Sequence, residues 1–137
     1  MVIVDTSVWI DFLNRRSTPE TLWLRGGRGG SAIGLTTLVL VEVLQGIRFD
    51  RRFREAESHF RRLPVFDGSS WQVAVQSAEN YRRLRGLGVT IRSTVDCLIA
   101  TFCIENGHQL LHCDGDYEFF ERHLNLTVLH APPLPVP

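Results

Sequence analysis

The sequence predicts an α/β domain, a three-layer α/β/α sandwich around a central, mostly parallel sheet of four to five strands. Short apolar runs of strand length alternate with helix-length segments along the whole chain, the pattern of strands joined by helical crossovers. The first run, Val2-Ile3-Val4, is apolar at every position, as in a strand buried on both faces rather than one facing water. A chain of 137 residues, 44% hydrophobic and 22% charged, suits one domain with a sizeable core and excludes global disorder.

The elements follow in order. Asp5-Thr6-Ser7 caps a helix running through Asn14, and Ser17-Thr-Pro-Glu20 reads as a capping box for a second, shorter one. Gly26 to Gly30 is a loop that lacks the Gly-Lys-Ser/Thr ending of a phosphate-binding loop. Ala32 to Leu35 is a strand, after which Thr36 or Thr37 caps a helix that Gly46 ends. Asp50 to Arg62 is a helix, Leu63 to Phe66 a short edge strand, and Ser69 to Arg85 a long helix closed by Gly86. Ser93 caps the next helix, where Val95, Leu98, Ile99 and Phe102 form one core-facing stripe before Gly107 stops it. Gln109 to His112 is a strand, Asp116 to His123 a helix and Leu126 to Leu129 a last strand. We expect residues 1–130 to be the domain. Residues 131–137 hold four of the six prolines and are expected to be a polyproline-like tail.

Composition narrows function. Fifteen bases balance fifteen acids, so the chain is not a protein that coats nucleic acid by bulk charge. Every base is Arg; Arg grips phosphate bidentately, although codon bias gives the same composition. Three cysteines, an odd number, suggest no disulfide framework and a reducing compartment. The N-terminus lacks a basic leader and no stretch is apolar enough to span a membrane, so a cytoplasmic protein is expected.

Five acids stand out. Asp5 follows the first strand, and Asp114 and Asp116 follow the strand ending at His112. Ligands of open α/β sheets bind beyond the carboxyl ends of strands, so neighbouring strands would bring these acids together. Helix capping alone accounts for any one of them. Glu42 interrupts the apolar run Leu38 to Leu44, where a buried carboxylate needs a partner or a cation. Asp96 lies in the first turn of a helix beside its core stripe, with Arg92 as an ion-pair partner or a phosphate-holding group. Gathered in one pocket, Asp5, Glu42, Asp96, Asp114 and Asp116 would repel one another unless a cation bound. Carboxylate oxygens select Mg²⁺ or Mn²⁺ over Zn²⁺, and such an ion serves phosphoryl chemistry. Outside those positions, ten acids face fifteen bases. Arg51, Arg52, Arg54, Arg61, Arg62, Arg82, Arg83 and Arg85 can supply a basic rim, or simply a solvated helix surface.

Other sites are weaker. A zinc site among Cys97, Cys103, His108, His112 and Cys113 has no Cys-x-x-Cys pair, and Cys97 and Cys103 sit about 120° apart around one helix. A Ser7–His112–Asp114 triad lacks a nucleophile elbow.

Val4-Asp5-Thr6-Ser7-Val8-Trp9 resembles the opening of PIN-domain ribonucleases. Glu42 in Leu-Val-Glu-Val-Leu-Gln-Gly, Arg92-Ser-Thr-Val-Asp96-Cys-Leu-Ile-Ala100 and His112-Cys-Asp114-Gly-Asp116-Tyr match in order and spacing. Over residues 1 to about 130 the layout is similar to VapC-type toxins of bacterial toxin–antitoxin pairs. The resemblance implies a PIN-like fold and a Mg²⁺- or Mn²⁺-dependent endoribonuclease cutting structured RNA such as tRNA or rRNA. It makes Asp5, Glu42, Asp96 and Asp114 the catalytic carboxylates and Asp5 and Asp96 the firmest metal ligands. Glu42 and Asp114 complete the site and Asp116 is auxiliary. Thr6 or Ser7 would position water or phosphate beside Arg92. A homodimer silenced by a cognate antitoxin is implied, docking near Trp9, Phe12, Leu13, Leu22 and Trp23, which core packing claims as well. Cys113 stands where many relatives carry Arg. Two other readings compete: a haloacid-dehalogenase-like phosphatase built on Asp114-Gly-Asp116, and a non-catalytic RNA- or protein-binding module.

Overall fold

The computed structural model describes residues 1–27 and 30–137. The strands are β1 (Val2–Val4), β2 (Ile33–Thr36), β3 (Val65–Phe66), β4 (Gln109–Leu111) and β5 (Thr127–Val128). They form one sheet in the order β3-β2-β1-β4-β5, every pairing parallel. Helices α1 (Thr6–Leu13), α2 (Pro19–Arg25), α3 (Thr37–Gln45), α4 (Asp50–Phe60), α5 (Trp71–Gly86), α6 (Thr94–Asn106) and α7 (Tyr117–Leu124) connect them. The expected layered α/β/α architecture is the one found, with all five strands parallel.

The central strand explains its own sequence. Val2, Ile3 and Val4 are all buried, because β1 has a strand on each side and helices over both faces. From β1 the chain builds outward through β2 and β3 on one side, then returns to add β4 and β5 on the other. The reversal between β1 and β4 is a topological switch point, where an open α/β sheet leaves a crevice at the strands' carboxyl ends. Register fixes its edge: Val4 pairs with Leu111, and the Asp5 N–H donates to the Leu111 carbonyl at 2.9 Å. The residues just beyond β1 and β4 are therefore neighbours.

Several local expectations shift. The second helix is capped by Thr18 with Thr21, not by Ser17 with Glu20. Pro19 has no N–H and a φ suited to the first helical position, which puts the cap on the residue before it. Arg28 and Gly29 of the expected glycine loop lie outside the described residues; Gly27 and Gly30 have φ of +91° and +80°. The helix expected to run to Arg62 stops at Phe60, and the long helix includes Gly86 and is capped by Ser70. Gly107 ends α6 at φ +68°, a conformation that costs glycine little.

Helix α6 carries more than one stripe. Cys97, Ile99, Ala100, Thr101, Phe102 and Cys103 are all buried, since α5 covers one side and the sheet another. The seam with α5 is partly polar: Asn80 donates to Thr101 Oγ1 at 3.0 Å and Cys97 lies 3.3 Å from the Ser77 carbonyl. Trp9, expected near a docking surface, is instead fully buried against Phe12 and Phe60. The N-terminal helix turns that face inward because α4 closes over it.

Candidate functional site

The site lies at the carboxyl edge of β1 and β4. Asp5 is 3% exposed, and its burial is offset by three donors. Its Oδ2 accepts from the Ser7 N–H at 3.1 Å and the Ser7 hydroxyl at 2.7 Å, and its Oδ1 accepts from the Tyr117 hydroxyl at 2.8 Å. Its buried oxygens are thus hydrogen-bonded. The Ser7 hydroxyl in turn accepts from the Cys113 N–H at 3.1 Å, so one side chain ties the turn after β1 to the loop after β4.

Asp96 comes from the other direction, in the first turn of α6. Its N–H is capped by the Ser93 hydroxyl at 3.2 Å, while its Oδ1 lies 3.3 Å from the Tyr117 hydroxyl. Its carboxyl is pushed up to about 7, first by burial and then by the charges of Asp5, Asp114 and Glu42; the Tyr117 contact pulls the other way. The phenol has one proton for two carboxylates. When Asp96 is protonated it can donate to the phenol oxygen while the phenol donates to Asp5.

The loop after β4 supplies two more carboxylates. The Asp114 N–H donates to His112 Nδ1 at 3.1 Å, and Asp114 Oδ1 accepts from the Asp116 N–H at 3.0 Å. This turn leaves Asp116 in a helical conformation with its side chain free of any capping bond. Asp96, Asp114 and Asp116 each offer an oxygen, and the three atoms lie within 4.8 Å of one another. Arg92 sits 3.7 Å from Asp116. Of the two roles the sequence left open for Arg92, the ion pair with Asp96 is not formed; the guanidinium lies by Asp116 instead. Glu42 reaches the same region from α3, half-buried, and accepts from the Thr6 hydroxyl at 2.7 Å. Its helix is less enclosed than the apolar run suggests, since the adjacent Val41 is 59% exposed.

All five sequence-predicted acids thus meet at one edge, by four separate routes, Asp114 and Asp116 sharing the loop after β4. Capping accounts for Asp5 in part, but not for Asp96 or Asp116. Thr6 and Ser7 spend their hydroxyls on Glu42 and Asp5 rather than presenting them freely. Ser7 does not bond His112, so the triad has no geometry behind it. Cys97 and Cys103 are buried apart, and among the described residues the close cluster of metal-type ligands is the carboxylate one. Sequence reasoning gave no role to Tyr117. Its signal was a phenol heading the apolar stripe Tyr117, Phe120, Leu124, where a buried hydroxyl must find an acceptor. His112, stacked on Tyr117 with centroids 4.8 Å apart, belongs to the wall.

The donor set fits a hard divalent cation. It is all oxygen, partly buried and short of positive charge, with Arg92 largely in solvent. The raised Asp96 carboxyl reflects its burial first and the neighbouring acids second.

A VapC ribonuclease of Mycobacterium bovis and ribonuclease VapC11 of Mycobacterium tuberculosis are each 29% identical to this chain over 131 residues, covering 92% of it and 96% of the relative. In shape the chain is similar to VapBC2 from Rickettsia felis bound to a DNA fragment from their promoter, with a TM-score of 0.75 and 20% identity over 94% of this chain and 98% of that one. DNA-bound VapBC from Salmonella typhimurium gives 0.74 at 20% identity, over 93% and 96% of the two chains. The family model of the PIN domain matches residues 2–122, a stretch that contains every carboxylate of the site, and the chain belongs to that family.

Proposed function

We propose that this protein is a Mg²⁺- or Mn²⁺-dependent endoribonuclease, the toxin of a toxin–antitoxin pair. The observation that carries the reading is the convergence of five acids from four separate chain positions on the switch-point crevice. The named ribonuclease relatives support the same activity. We assign Asp96, Asp114 and Asp116, with Asp5 beside them, to holding the cation, and Glu42 to the rear wall. Bound there, the cation would neutralise phosphoryl charge and lower the pKa of attacking water. Asp5 and Asp96 are held by Tyr117, Glu42 by Thr6, and the exposed Arg92 is placed to meet a substrate phosphate. Water adds in line to phosphorus, a P–O ester bond breaks, and a proton passes to the departing oxygen. The products are a phosphate monoester and a hydroxyl end.

The partner surface is part of the proposal. Phe12, Leu13, Ile47 and Ala56 line a groove of about 430 Å³ between α1 and α4, whose rim carries Arg15, Arg25 and Arg52 against one acid, Glu55. An antitoxin segment with apolar anchors and acidic flanks complements it. Trp9 has no part in this surface, being core. Among the described residues no helix is long and apolar enough to cross a membrane; action on RNA in the cytoplasm belongs to the proposal.

RNA cleavage measured with Mg²⁺ or Mn²⁺, with EDTA, and in Asp5→Ala protein decides the matter. We expect activity in the first condition and a loss of at least a hundredfold in the other two. Equal activity in all three rejects the reading in favour of a non-catalytic module. A trapped aspartyl-phosphate on Asp114 points to the phosphatase instead.

A further inference from the structure

Resting on that reading and refining the same site, we propose that Tyr117 is a positioning residue. Its hydroxyl holds Asp5 and Asp96 in the mutual arrangement that a divalent cation meets. The two acids reach the site from unrelated elements, one ending β1 and the other opening α6. Tyr117 is fully buried, with its hydroxyl 2.8 Å from Asp5 Oδ1 and 3.3 Å from Asp96 Oδ1. A buried phenol needs one acceptor to be satisfied; this one stands between two. Among the described residues it is also the sole hydrogen-bonding partner of the Asp96 side chain. Asp5 has Ser7 on its other oxygen, so Asp96 is the acid whose orientation depends most on the phenol.

The ring is anchored independently of the hydroxyl. It packs on His112 at 4.8 Å and on Phe120 at 6.4 Å between centroids, and it begins α7 directly after Asp114 and Asp116. The same residue therefore fixes the start of the helix whose preceding loop carries two acids, and bridges the two acids that come from elsewhere. Removing the hydroxyl while keeping the ring leaves two carboxylate oxygens facing across a gap with no donor between them.

Tyr117→Phe isolates the hydroxyl. Groups that orient a metal ligand typically account for roughly 10–100-fold in metal affinity, so Mn²⁺ binding followed by calorimetry or electron paramagnetic resonance should weaken about tenfold or more. RNA cleavage at low Mn²⁺ should fall in parallel and recover toward wild type as Mn²⁺ is raised, because the chemistry itself is intact. Wild-type Mn²⁺ affinity in Tyr117→Phe overturns the proposal, whatever happens to its melting temperature, since a purely structural phenol would alter stability alone. So does a loss of cleavage that saturating Mn²⁺ fails to restore in a folded variant. Should Tyr117→Phe fail to fold, Ser7→Ala serves as the second arm. It removes the hydroxyl donor from Asp5, keeps the backbone one, and also frees the Cys113 N–H, while leaving the Asp96 contact in place; we expect a smaller loss of Mn²⁺ affinity than in an Asp96→Asn control, and an equal or larger loss makes Asp5 the dependent acid and overturns the assignment. Wild-type protein that neither binds Mn²⁺ nor cleaves RNA counts against the nuclease reading, an outcome distinct from either of these.

Discussion

Asp96 shows how a residue of the candidate site costs stability. Its carboxyl is pushed up to about 7 from an ordinary value near 3.8, chiefly by burial and neighbouring acids. Below pH 4 it is protonated in both folded and unfolded chains. As pH rises from about 4 to 7 the unfolded chain releases this proton and the folded chain keeps it, so stability falls across that window and levels off above it. In EDTA, Asp96→Asn should therefore melt above wild type at pH 8, with the gain shrinking toward pH 5. Discounted for a half-buried group, we expect about 1–2 kcal/mol, or about 3–8 °C. A melting difference that is negative at pH 8, or that does not depend on pH, contradicts this account. Glu42 teaches a different lesson about single residues. The sequence marked it as out of place in an apolar run, and its partner proved to be Thr6, a residue no local pattern could connect to it.

Among the elements, α1 does two jobs on two faces. Trp9 faces inward against Phe12 and Phe60, and its indole N–H has no hydrogen-bond partner. Trp9→Ala should thus cost roughly 3–5 kcal/mol, whereas Trp9→Phe forfeits no hydrogen bond and should cost distinctly less; thermal or denaturant melts of both variants measure the contrast. Leu13 lies on the outer face, in the groove toward α4. Leu13→Asp places a charge in an apolar, Arg-rimmed channel, and we expect at least a tenfold loss of antitoxin affinity with RNA cleavage unchanged. Titrating the variant against its antitoxin, with cleavage as the parallel readout, checks both halves. Three of the bases on and just after α4 form exposed pairs along its surface. Arg51, Arg54 and Arg61 pair with Glu55 and Glu57 at 2.9–3.5 Å, arrangements that contribute little in water.

For the molecule as a whole, the tail and the domain separate cleanly in exposure. Pro132 to Pro137 are exposed and outside any helix or strand, while His130 pairs with Glu121 at 2.7 Å and Ala131 packs on the core. Deleting residues 132–137 should leave the melting temperature within about 1 °C and cleavage unchanged; a larger drop assigns the tail to the domain. The homodimer implied by the resemblance remains a proposal whose test is the solution mass. The strand and helix sequence was legible because burial on two faces leaves continuous apolar runs, and caps such as Ser93 and Gly107 are local chemistry. The nearness of Asp5 to Asp114 and Asp116 was legible on the condition that their strands are neighbours, since these acids lie just past strand ends; Glu42 and Asp96 sit on helices α3 and α6, and their approach depends on how those helices pack. What local pattern cannot carry is pairing across space. Only the packed structure set β1 beside β4, placed Arg92 by Asp116 rather than Asp96, buried Trp9, and put the Tyr117 hydroxyl between Asp5 and Asp96. Those outcomes depend on long-range register and on which helix covers which face, and they are decided by the close packing of the whole chain rather than by any stretch of it.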